Sequence, residues 1–369
     1  MLGNQICVIS TSAKPYPASY NVVEILRAIV SEEKVHVLRS QPFTAKVPKF
    51  AKHIAYMLDE LMISIKLLKI LPKINVILIF QEYHLFPTLI ARLSQKKVVL
   101  FVGGSAGLGS FYREQTNVSF LGKIVYASNV LLADFCNNLS HMIVSVTPSM
   151  VNSINLGRYR EKIYFAPIFP SLSHRTLFDI KKRYDKRERV IGFVGGLEKI
   201  KGIINFADAV PYIYKQLDSV HIVIIGNGAL SDTVKLKLKE YCASGAVKIL
   251  GWAPYTMLPN YYNDFKLLVL PSYSEGVPSV MLEAMSCGTP VLATPVGGIP
   301  DIIKDGETGF LLRSNDPKHI ANKIVELLNI PVLLEKVSKN ACKWVGENFS
   351  YKKTLEAWQN IFEQLQSNN

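Results

Sequence analysis

Short apolar runs of strand length recur along the chain, most closed by glycine, proline or polar residues and several followed by a segment with helical spacing. In the first half, residues 5–10, 35–39, 75–80, 97–102, 143–146 and the short 164–166 read as strands, with helices predicted over 20–31 and 87–95. The pattern restarts with strands at 190–194, 220–225, 247–250, 267–270 and 290–294, a helix opening at Ile203 and another closing at Cys287. Residues 332–365 read as helical. Strands that are apolar on both faces and alternate with helices predict doubly wound parallel sheets, an α/β fold. Pro167, Pro170 and the charged run KKRYDKRER at 181–189 separate the two series. The boundaries drawn are a first domain over 1–175, a linker over 176–189 whose charge is read as solvated, a second domain over 190–345, and a terminal segment over 346–369.

A length of 369 residues suits two such domains. Five cysteines without a C-x-x-C pair speak against a disulfide framework or a zinc site and for a reducing compartment. The start of the chain has no basic n-region, and no uncharged apolar run approaches the length of a membrane span. The expected location is therefore cytoplasmic. The formal charge of +13 calls for a partner or another explanation, and the candidates are nucleic acid, an anionic membrane surface and an anionic small substrate. No nucleic-acid motif is present, and the basic residues are not interleaved with aromatics. Residues 46–73, KVPKFAKHIAYMLDELMISIKLLKILPK, combine lysines with apolar side chains as a helix lying in a lipid headgroup region does. Two readings of this segment stand side by side, an anionic membrane surface or an ordinary core helix with a solvated basic face.

Chemistry concentrates in 265–301, FKLLVLPSYSEGVPSVMLEAMSCGTPVLATPVGGIPD. A buried strand ends at Pro271, a loop carries Glu275, Pro278 opens a helix that contains Glu283, and Gly288 closes it. With a helical rise between them the two carboxylates lie about 12 Å apart. That span matches the sugar-to-ribose distance of a nucleotide diphosphate sugar, whose phosphates would meet the helix start at Gly276 and Val277. The opposing reading places Glu283 in a solvated stripe with Ser279 and Ser286, and gives Glu275 to the helix dipole. In open sheets ligands bind beyond the carboxyl ends of strands. On the first domain this nominates residues 11–20, 82–84 and 103–109 for the acceptor, with Gly103, Gly104 and Ser105 offering backbone N–H groups to an anion such as a lipid phosphate. The G-G-S also reads as a simple turn, and His84 as a satisfied loop histidine.

From Pro271 to Val291 the chain matches, residue by residue, the frame P-S-x-x-E-G-x-P-x-x-x-x-E-A-M-x-x-G-x-P-V, and GGIPDIIKDGETGFLL follows from Gly297. On these motifs residues 190–325 resemble the nucleotide-binding domain of the family 4 retaining glycosyltransferases, also called glycosyl transferases group 1. The resemblance implies a GT-B fold, two Rossmann-like domains facing across a cleft, with the terminal helix crossing back to the first domain. It implies transfer of a hexose-type sugar from a nucleotide diphosphate sugar to a hydroxyl of a glycan or lipid-linked acceptor, with no metal cofactor. It casts Glu275 and Lys201 as catalytic, and Glu283, Gly276, Val277, Gly195, Gly196, Gly226, Asn227, Gly228 and Trp252 as donor-binding; Trp252 also reads as a core residue. The GGLEKIKG segment at Gly195 departs from the family's G-R-L-x-x-E-K-G by placing Gly196 where an arginine grips the phosphates. Gly103 stands where many members carry a histidine. Membrane docking at the cytoplasmic face fits a lipid-linked acceptor. Two alternatives use the same cleft, a sugar-nucleotide epimerase and a sugar-nucleotide-binding protein without catalysis.

Overall fold

The computed structural model describes residues 5–10, 17–39, 52–80, 84–103, 120–168 and 177–367. The chain divides into two compact units, Met1–Ser173 with Tyr351–Asn369, and His174–Ser350.

In the first unit β1 (Ile6–Ser10), β2 (Val35–Arg39), β3 (Val76–Phe80), β4 (Lys97–Val102), β5 (Met142–Ser145) and β6 (Ile163–Phe165) form a parallel sheet in the order β2-β1-β3-β4-β5-β6. Side chains alternate between its faces. Cys7, Ile9, Ile77, Ile79, Val98 and Leu100 point to one face, where Ile63 and Leu67 of helix Lys52–Ile70, Ala91 of helix Leu85–Leu93 and Cys136 of helix Phe120–Leu139 cover them. Phe101 points to the other face and stacks on Trp358 of the last helix, Tyr351–Ser367, with ring centroids 5.9 Å apart. The strands are apolar on both faces because a helical layer covers each.

The second unit repeats the plan. Here β7 (Val190–Val194), β8 (His221–Ile225), β9 (Val247–Gly251), β10 (Leu267–Leu270), β11 (Val291–Ala293) and β12 (Phe310–Leu311) pair in parallel in the order β12-β11-β10-β7-β8-β9. One face buries Ile191, Phe193, Ile222, Ile224, Leu267 and Val269 under helices Ile203–Tyr214 and Pro317–Leu328. The order reverses between β7 and β10, and the crevice outside their carboxyl ends is the topological switch point, where open sheets bind ligands.

Two sequence expectations need correction. The continuous helix over 332–365 is two helices, Pro331–Asn348 and Tyr351–Ser367, because Phe349 leaves helical geometry at φ −119° and ψ 24°. It buries its ring against Trp344, with centroids 5.5 Å apart. The charged run at 181–189 is not solvated throughout, since Arg187 is buried. Its guanidinium donates to the carbonyls of Cys287, Gly288, Phe265 and Tyr262 and to Thr289 Oγ1. At the end of helix Ser279–Ser286 the carbonyls of Cys287 and Gly288 thus meet a cation that also suits the negative end of the helix dipole, and Ser338 Oγ donates to Gly288 O as well.

Candidate active site

The switch-point crevice is built by loops that follow β7, β8, β10 and β11. After β7 the chain makes a tight turn, Lys199–Lys201, capped by Gly202 at φ +66°. A Cβ at Gly202 would stand 1.9 Å from the Pro271 carbonyl oxygen, so only glycine lets this turn lie against the end of β10. Tyr273 N donates to Ile200 O at 2.8 Å and fastens the two loops together.

That seam brings Lys201 to Glu275 across 74 positions of sequence. Lys201 Nζ donates to both carboxylate oxygens, at 2.8 and 2.7 Å, and Ser272 Oγ adds a third bond at 2.7 Å. Glu275 is only 8% exposed, whereas Lys201 keeps a third of its side chain in solvent. An ammonium has three N–H groups, so with two on Glu275 one remains for another acceptor. Ser272 is a site residue that sequence reasoning passed over; its place in the motif, three positions before Glu275, was the available signal.

Glu283 sits elsewhere in the unit's interior. It is 1% exposed, and its oxygens accept from Tyr262 Oη at 2.8 Å and Tyr255 Oη at 3.3 Å. Phe178 closes this aromatic surround, with ring centroids 5.3 Å from Tyr255 and 6.0 Å from Tyr262. Burial pushes the carboxyl up to about 7, with the tyrosine hydroxyls pulling the other way. The reading of Glu283 as part of a solvated stripe is therefore overturned. The 12 Å span was counted at helical rise, which applies only from Ser279 onward, since Glu275 lies in the loop before Pro278. Two tyrosine bonds leave the carboxylate lone pairs to spare. A ligand hydroxyl reaches them only if a neighbouring side chain shifts.

The helix Ser279–Ser286 ends as its sequence foretells. Gly288 at φ +69° donates to Met285 O at 3.0 Å and Thr289 N to Ala284 O at 2.8 Å, the paired bonds of a Schellman cap. At its other end Gly276 and Val277 are half-buried in the loop before Pro278, and Gly298 N donates to Gly276 O. The glycine loops lie side by side. Gly195 N donates to Ile225 O, Leu197 N to Asn227 O, and Gly226 N to Gly251 O at 2.7 Å. Gly196 and Gly228 belong to these same two loops. Trp252, which follows Gly251, is 74% exposed, so it is not the core residue that one reading made it.

On the first unit Gly103 follows β4 directly, and Gly104 and Ser105 lie outside the described residues. So do residues 11–16, 82–83 and 106–109 of the nominated acceptor loops. His84 is buried, its Nδ1 2.5 Å from Glu60 Oε1, while Glu60 Oε2 accepts from Phe86 N at 3.2 Å. Glu60 thus serves the start of helix Leu85–Leu93 as well as the imidazole.

Residues 175–344 match the family model described as glycosyl transferases group 1. N-acetyl-alpha-D-glucosaminyl L-malate synthase of Bacillus anthracis is 26% identical over 259 residues, 67% of this chain and 65% of that protein. D-inositol 3-phosphate glycosyltransferase of Mycobacterium avium is 32% identical over 175 residues, 46% of this chain and 40% of that one. This chain thus spans less than two thirds of the length of these curated relatives. Among solved structures, sucrose-phosphate synthase from Thermosynechococcus elongatus superposes with a TM-score of 0.79 at 17% identity, covering 99% of both chains. HepE from Anabaena, solved in complex with UDP and glucose, gives 0.72 at 17%, covering 99% of this chain and 100% of that one. The fold is GT-B.

Proposed function

We propose, from the membership of residues 175–344 in the glycosyl transferases group 1 family, that this chain moves a sugar from a nucleotide diphosphate sugar to an acceptor hydroxyl with retention at the anomeric carbon. The observation that carries the reading is the Lys201–Glu275 pair at the switch point, a cation and an acceptor-only carboxylate held together where β7 and β10 end. The UDP and glucose bound by HepE support a donor of that class.

In this reading the third N–H of Lys201 meets the diphosphate, and the helix start at Gly276 and Val277 adds its partial positive charge. Glu275 accepts from hydroxyls of the donor sugar and balances positive charge growing at its ring. The acceptor oxygen bonds to the anomeric carbon on the face from which the diphosphate departs. Its proton passes to a departing phosphate oxygen, and the nucleoside diphosphate leaves. Rate then comes from placement and charge stabilisation. Trp252 offers an exposed indole face for the base, and Glu283 its remaining lone pairs for the ribose.

Lys201→Ala and Glu275→Gln test the assignment. Each is expected to lower release of nucleoside diphosphate from donor plus acceptor by about a hundredfold or more while the circular dichroism spectrum is unchanged. Full turnover in both variants overturns it. Isomerised donor formed without acceptor would assign the epimerase reaction instead.

A further inference from the structure

Helix Lys52–Ile70 is built inside out for a helix of a water-soluble layer. Ile63 and Leu67 face the sheet, as expected. Its carboxylates, Asp59 and Glu60, are buried as well. The outward side carries Met57, Leu58, Leu61, Met62, Ile65 and Leu68, each 46–58% exposed. Lys66 and Lys69 are the exposed charges among the described residues of the helix, and Lys73 follows in the next turn.

The neighbouring helices extend this surface. Leu85–Leu93 and Phe120–Leu139 cover the same face of the sheet, so their outer sides form one layer with that of Lys52–Ile70. Leu93, Leu131 and Phe135 are exposed there, and Arg92 adds a further cation. The carboxylate on these two helices is Asp134, which is half-buried and accepts from Tyr159 Oη at 2.6 Å. Together the three helices present exposed apolar side chains in one layer whose exposed charges, among the described residues, are all positive.

Scattered exposed leucines need no explanation, but an apolar layer of this kind marks a contact. We propose that this three-helix face docks on an anionic lipid bilayer, lying in the headgroup region. The sign of the charge selects the partner, since an anionic bilayer accepts apolar side chains and lysines together. A chain carrying +13 adds long-range attraction to the same surface. No helix among the described residues is long and apolar enough to cross a membrane. The inference stands on this surface alone and not on the sugar-transfer reading.

The test is co-sedimentation of the full chain with phosphatidylcholine vesicles, with and without phosphatidylglycerol. Binding is expected to the anionic vesicles, to weaken in salt, and to be far lower on pure phosphatidylcholine. Leu61→Asp with Ile65→Asp should lower it about tenfold or more. Lys66→Glu with Lys69→Glu should lower it by about fivefold per lysine. Leu236→Asp, at an exposed apolar position of the second unit, should not change it. Circular dichroism should be the same in every variant. Absence of anionic-vesicle binding, or binding indifferent to the Leu61 and Ile65 changes, overturns the proposal. So does a dimer in sedimentation equilibrium that Leu61→Asp with Ile65→Asp dissolves while vesicles bind neither form, since the face would then be a contact between copies.

Discussion

Glu283 is held where a carboxylate is costly. Its folded pKa of about 7 lies above the ordinary value of 4.5, so the folded chain binds the proton more tightly than the unfolded one. The stabilisation from its protonated form is therefore complete below about pH 4.5 and is lost as pH rises to about 7, a change of order 3 kcal/mol. Glu283→Gln should be more stable than the parent above pH 7 and converge with it near pH 4, read as the urea midpoint at each pH. Parallel pH profiles would show that burial does not govern this carboxyl. Ser272 makes a second residue-scale case. Ser272→Ala removes one of three bonds that fix Glu275, and about tenfold lower kcat is expected with a smaller change in donor KM. An unchanged kcat would mean that Lys201 alone fixes the carboxylate. Both glutamates were legible in the sequence, because spacing and flanking glycine and proline set them apart. The contact between Lys201 and Glu275 was not legible from spacing, since it forms between loops after two strands that only the sheet order makes neighbours.

At the scale of elements, the loops decide geometry. Gly202→Ala puts a methyl group 1.9 Å from the Pro271 carbonyl at a φ of +66°, so the Lys199–Lys201 turn must lift away from β10. Activity should fall nearly as far as in Lys201→Ala, although no catalytic atom is removed, and loss of stability should be of order 1–3 kcal/mol. Full activity in the purified variant would show that Lys201 reaches its place without the seam. Arg187→Met leaves the Cys287 carbonyl behind the helix Ser279–Ser286 without its guanidinium donor, while Gly288 O keeps Ser338 Oγ, and is expected to cost about 3 kcal/mol by chemical denaturation. A change below about 0.5 kcal/mol would return Arg187 to the surface role its charged neighbours suggest. Strands with continuous apolar runs were readable because helices bury both their faces. Helix Phe120–Leu139 was not read, since Val130, Leu131 and Phe135 are apolar yet exposed and blur the period that marks a helical core face. The break at Phe349 was hidden for a related reason. An aromatic residue between two amphipathic helices looks like one more core position, and only its packing on Trp344 shows that it turns the chain.

The whole molecule is threaded so that the first unit is completed by the last helix of the chain. Residues 1–173 build its sheet, residues 174–350 make the second unit, and Tyr351–Ser367 returns. Trp358, Ile361, Phe362 and Leu365 are all buried, and Lys97 Nζ donates to the Leu365 carbonyl at 2.5 Å. At about 2 kcal/mol for each large apolar side chain, removing these four forfeits roughly 8 kcal/mol, comparable with the full stability of a domain. A chain ending at Ser350 should therefore lose its first unit and keep its second, whose own core lies within residues 184–337. Limited proteolysis of that truncated chain should leave a resistant fragment from residues 174–350, while the parent protects both units. Trp358→Ala is the milder form of the same change, with an expected cost of about 3–5 kcal/mol read in the unfolding of the first unit alone. Equal protection of both units in the truncated chain would mean that the sheet β2-β1-β3-β4-β5-β6 folds without its returning helix. A hydrophobic period in a terminal segment announces a buried face but not which of two cores receives it. That choice is written in Phe101, which turns to the face of the first sheet that the other helical layer leaves open.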